Sequence, residues 1–102
     1  MTSTRQPLVG QTFSNKKTEI TDGKKEFTYK DLIIFCINSI PEKGFDREEM
    51  KKRERIEKAL EVKGDFKFED ADAHNLKEVV KSVRWNFRHK ELSEFLDAIN
   101  SL

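Results

Sequence analysis

From Asp70 onward, Leu76, Val80, Val83 and Phe87 recur at i, i+4, i+7 and i+11, the spacing that gathers apolar side chains on one face of a helix. The reading is a helix from Asp70 to about Phe87 that buries this stripe against another element. At about 100° per residue, Lys77, Lys81, Arg84 and Arg88 share a second face roughly 100° from the first. Trp85, the one tryptophan of the chain, then projects opposite the apolar stripe. A large aromatic aimed away from its own helix's core face needs either a second packing layer or a ligand, and the sequence leaves both open.

Other stretches extend the helical pattern. Thr28-Tyr29-Lys30-Asp31 has the form of a helix N-terminus, with an N-cap threonine and an acid three residues on. It precedes Leu32-Ile33-Ile34-Phe35-Cys36-Ile37, a run apolar all round that reads as a short helix buried on most sides, ended by Pro41 and Gly44. Asp46-Arg47-Glu48-Glu49 is a second capping box, opening a charged helix to about Val62. Glu48/Lys52, Glu49/Arg53 and Glu54/Lys58 lie there in acid-first i,i+4 order, each pair worth about 0.2–0.5 kcal/mol. Its narrow stripe of Met50, Ile56, Ala59 and Leu60 suits the outside of a bundle. Phe66 and Phe68 alternate with polar residues as a short extended piece. A last helix from about His89 carries Leu92, Phe95, Leu96 and Ile99 on one face and Glu91, Glu94 and Asp97 on the other.

The N-terminal part differs. Met1–Lys17 is polar with scattered apolar residues and reads as a flexible exposed arm. After it, Asp22-Gly23 is a dipeptide favoured in two-residue hairpin turns, flanked by Thr18–Thr21 and Lys24–Phe27. The expectation is therefore a mainly α single domain over residues 18–102: a small bundle of about four helices with a short N-terminal β-hairpin. At 102 residues the chain has room for one modest core.

Charge narrows the function classes. The net charge is +1, which gives no global attraction to nucleic acid or anionic membrane. Lys81–Lys90 nevertheless holds four basic residues and no acid, with acidic blocks on both sides. Such a patchy surface favours specific docking. The longest apolar run, Leu32–Ile37, is far short of the roughly 20 residues of a membrane span, and the start lacks the apolar core of a secretory signal. With a single cysteine, no internal disulfide forms, and a cytoplasmic setting is expected.

Chemistry-bearing patterns are few. Counting an EF-hand from Asp65, Asp70 stands in the sixth place where glycine belongs, and Leu76 in the twelfth where glutamate belongs. The acids Asp65, Glu69, Asp70 and Asp72 read instead as residues favoured at a helix N-terminus. Cys36 lies among Phe35, Ile34 and Ile37, where burial makes a thiol inert. No phosphate loop, nucleophile elbow or HExxH pattern occurs, so no enzyme, metal or cofactor is expected.

Gly44–Leu60 is similar to a segment found in small accessory proteins of bacteriophages and prophages. Phe68-Glu69-Asp70-Ala71-Asp72, Leu76-Lys77, Arg84-Trp85-Asn86 and Phe95-Leu96-Asp97-Ala98-Ile99 extend the resemblance from about Lys30 to the C-terminus. It implies a bacterial host cytoplasm and a role in virion assembly or in binding a host factor. It brings no activity, so no functional residue is carried over.

The leading expectation is a non-enzymatic protein-binding module, an inhibitor or adaptor, using Lys77, Lys81, Arg84, Trp85 and Arg88, or self-associating through them. Tryptophan and arginine are the residues enriched where binding energy concentrates. The alternative is a small nucleic-acid-binding protein that uses the basic helix face, with Trp85 stacking on a base. A metal-dependent activity around Asp70, Asp72 and His74 comes third.

Overall fold

A computed structural model describes residues 11–102. In chain order the elements are β1 (Gln11–Phe13), β2 (Lys17–Thr21), β3 (Glu26–Thr28), α1 (Tyr29–Asn38), α2 (Arg47–Ala59), β4 (Phe66–Phe68), α3 (Asp70–Ser82) and α4 (Lys90–Asn100). The four expected helices form, but the fold is not a mainly α bundle. It is a mixed α/β arrangement with two small antiparallel sheets, β1–β4 and β2–β3. The hairpin accounts for one sheet. The other joins remote three-residue strands, with Phe13 opposite Phe66.

Part of the stretch 1–17, read as a flexible arm, enters that second sheet. Residues 1–10 lie outside the described residues, but residues 11–17 are built into the fold. Phe13 is buried and lies against Tyr29, Phe68 and Phe95, with ring centroids 5.7, 6.4 and 6.4 Å away. The main-chain carbonyl of Lys16 accepts from the Tyr29 N–H at 2.8 Å, and Asn15 Oδ1 accepts from the Lys30 N–H at 3.0 Å. Two of the open N–H groups at the start of α1 are thereby paired. Phe66 and Phe68 alternate with exposed Lys67 and are wholly buried. A two-stranded sheet is marginal alone, and β4 is supported by packing on α2 and α3.

The hairpin turns through four residues, Asp22–Lys25, and not two. Gly23 takes φ +94°, a backbone conformation open to glycine without steric cost. Asp22 Oδ1 accepts from the Lys24 N–H at 2.9 Å, and the Thr21 hydroxyl donates to the Lys25 carbonyl at 2.8 Å. The hairpin packs on α1 and α4. The Glu19 N–H donates to Glu91 Oε1 at 2.7 Å, fixing β2 to the start of α4.

Both capping boxes read from the sequence start helices. Thr28 and Asp31 cap α1 reciprocally, and the Asp46 carboxylate accepts from the Glu49 N–H at 2.7 Å. On α2 the inward face is Arg53, Ile56 and Leu60, all buried. Arg53 is only 6% exposed. Its Nη1 donates to the carbonyls of Ile37 at 3.2 Å and Ser39 at 2.5 Å, with Cys36 at 3.5 Å. Its Nε meets Glu49 at 2.9 Å, and its guanidinium stands 5.0 Å from the centre of the Phe45 ring. Helix α1 has no basic residue in its last turn; the cation for its C-terminal carbonyls comes from α2. Arg55 ties α2 to α3 through paired contacts to Asp72 at 2.9 and 3.3 Å. Among the described residues, no helix is long and apolar enough to cross a membrane.

Candidate docking surface around Trp85

The third helix stops at Ser82, five residues before the expected end at Phe87. Its last turn carries Val79 and Val80, and the Ser82 hydroxyl donates to the Val79 carbonyl at 2.7 Å. Serine side chains compete in this way with the helix ladder. Val83 then turns extended at φ −74°, ψ +135°. A step of about 100° per residue becomes an alternation: Val83 half-buried, Arg84 exposed, Trp85 half-buried.

This exchange reverses the expected roles of two aromatics. Trp85, expected to point away from the core, packs against it. Phe87, expected in the buried stripe, is 39% exposed. Trp85 lies nearly parallel to Phe35 of α1, with centroids 5.2 Å apart and planes at 27°. Phe87 meets Trp85 edge-on at 6.0 Å and 90°. Phe35, read from sequence as part of a buried run, is 50% exposed. The three rings form a ridge with a half-buried centre and two open flanks. Such pairs each add about 0.5–1.5 kcal/mol beyond their burial.

Beside the ridge lies an open cleft of about 660 Å³, walled by Trp85, Phe87, Leu92 and Leu96. Arg88, His89, Lys90 and Ser93 supply its polar lining, with no carboxylate. Trp85 and Leu96 also wall a depression of about 210 Å³ that includes Lys81. A third, of about 140 Å³, lies between Phe35, Trp85 and Phe87 and carries Asp31. His89 closes the connector by capping α4, where Nδ1 accepts from the Glu91 N–H at 3.0 Å.

Of the five site residues expected from the sequence, Trp85, Arg88 and Lys81 converge here. Lys77 and Arg84 line neither the large cleft nor the Lys81 depression. The proposed single helix face holding Lys77, Lys81, Arg84 and Arg88 does not exist, because only Lys77 and Lys81 belong to α3. Among the described residues, none of these four cations, nor Lys90, makes an ion pair. The sequence reading missed Phe35, Phe87, Leu96 and Lys90. One signal was present for Phe35: buried Leu32, Ile33, Cys36 and Ile37 define a face from which Phe35 lies roughly 130° off centre.

The remaining candidate chemistry is occupied or closed. Burial pushes the Cys36 thiol up to about 12, which agrees with its reading as an inert core residue. Asp72 is buried and gives both carboxylate oxygens to Arg55, with Glu69 3.6 Å from the same guanidinium. Among the described residues, no three potential metal ligands of the His, Cys, Asp and Glu types come together. No family model, no curated protein and no solved structure matches the chain.

Proposed function

We propose that this chain is a non-enzymatic protein-binding module that docks a partner on the Phe35–Trp85–Phe87 ridge and its adjoining cleft, acting as an inhibitor or adaptor. The observation that carries this reading is the ridge itself: a stacked, half-buried tryptophan at the centre with an exposed phenylalanine on each side. Rigid aromatics lose little conformational freedom on binding and concentrate affinity. A phage or prophage setting, with a host or virion protein as partner, fits the sequence resemblance. The alternative, a small nucleic-acid-binding protein, rests on a continuous basic helix face, which the end of α3 at Ser82 divides.

Phe87→Ala tests the proposal more cleanly than Trp85→Ala, because Phe87 is the more exposed ring and Trp85 also packs on the core. The purified chain serves as bait in nuclease-treated bacterial lysate. Phe87→Ala is expected to keep the circular-dichroism spectrum of the parent and a cooperative thermal transition only a few degrees lower, while losing its bound protein. A variant that retains the same proteins at the same yield overturns the reading.

A further inference from the structure

We infer that the occupant of this surface is an acidic segment of a protein partner, with one large apolar side chain seated in the cleft and its carboxylates on Lys81 and Arg88. The inference rests on the docking reading above and adds the chemistry of the bound segment.

Charge complementarity carries the argument. The cleft and the Lys81 depression together present Lys81, Arg88 and Lys90, and no carboxylate lines either. These cations make no ion pair among the described residues, as is true of most lysines and arginines there, so they are available to a partner's carboxylates. A carboxylate brought beside Trp85 and Leu96 would be partly desolvated, where a charge-assisted hydrogen bond is stronger than in open water. The apolar walls at Leu92 and Leu96 suit an aromatic or branched aliphatic anchor. The open cleft, about 660 Å³, has room for such a group.

At the start of α4, Glu19, Glu91 and Glu94 line a neighbouring depression that shares His89 and Lys90 with the cleft. Lys81 and Arg88 lie outside that depression and are the cations open to a partner's carboxylates.

A random-peptide display library selected on the full chain, with Phe87→Ala as counter-bait, reads this directly. Enriched peptides are expected to carry Trp, Phe or Leu with an excess of Asp and Glu beside it. A synthetic peptide of the consensus should bind the Lys81→Glu/Arg88→Glu variant about tenfold more weakly or worse. Replacing its acids by lysine should restore binding to that variant. Lys81→Ala/Arg88→Ala gives the same direction with a milder change, should the reversal unfold the chain.

Peptides that depend on Phe87 but show no acidic bias and ignore the charge reversal would overturn the acidic partner and leave the docking surface standing. Failure to enrich any Phe87-dependent peptide would overturn both. Two further results would overturn the acidic segment. One is a labelled single-stranded oligonucleotide that binds the parent chain and is lost in both Phe87→Ala and the Lys81→Glu/Arg88→Glu variant. The other is a concentration-dependent dimer in sedimentation that Phe87→Ala abolishes, which would make the occupant a second copy.

Discussion

The guanidinium of Arg53 is held by main-chain carbonyls at the end of α1 and by the Glu49 carboxylate, so its removal would take this donor from the Ile37 and Ser39 carbonyls and the closest cation from Glu49. Unmet buried acceptors and a broken buried ion pair are each costly. Arg53→Ala is therefore expected to destabilise the fold by about 3 kcal/mol, read from the urea midpoint at constant slope. Arg53→Lys should recover only part of this, since an ammonium lacks the planar fork that spans several acceptors. A loss for Arg53→Ala within about 0.5 kcal/mol, as for an ordinary surface change, would show that water replaces the guanidinium at little cost. The sequence exposed half of this arrangement. Glu49 and Arg53 stand four apart in the favourable order and do pair, but the spacing of Arg53, Ile56 and Leu60 that turns the arginine inward is hidden by its charge. Glu48/Lys52 and Glu54/Lys58 are not paired; Lys52 turns instead to Glu49 at 3.3 Å.

Helix beginnings were legible and one helix end was not. Thr28 with Asp31 and Asp46 with Glu49 place the cap and its target within four residues, so the signal is wholly local. The end of α3 has no glycine or proline to mark it, and the 3.6-residue pattern runs on through Val83 and Phe87. The extended conformation that cuts it short lets Trp85 lie on Phe35, a contact with a helix far back in the chain. The α1 cap also makes a pH prediction. Burial pushes the Asp31 carboxyl upward, but hydrogen bonds from the Thr28 N–H and hydroxyl, with Lys25 beside it, hold it below the ordinary 3.8. Burial likewise raises the Glu49 carboxyl, and its bonds to Arg53 and Lys52 outweigh that and hold it below 4.5. A carboxyl lowered by folding contributes stability that is present above its unfolded value and lost as pH falls through its folded one. Asp31→Asn should therefore be less stable than the parent at neutral pH, with the gap closing below about pH 4. Parallel urea titrations across that range test it, and a gap independent of pH would refute it.

At the scale of the molecule, the sequence supplied the four helices and the hairpin but not the β1–β4 sheet, which decides the fold class. Three-residue strands such as Gln11–Phe13 show no period, and nothing near Phe13 announces its partner Phe66. Phe13→Ala should cost about 3–5 kcal/mol, as for other buried phenylalanines. The thermal midpoint would read this, and a change within error would return residues 11–17 to the status of an appendage. The same strand pair has a consequence in time. Residues of β1 are made first, yet their partner emerges only after β2, β3, α1 and α2 have been completed. Closing so long an intervening chain costs entropy before the contact repays it, which slows folding relative to a bundle of sequential helices. During synthesis Phe13 must wait, uncovered by β4, and the aromatic cluster that it joins closes as one of the last long-range events.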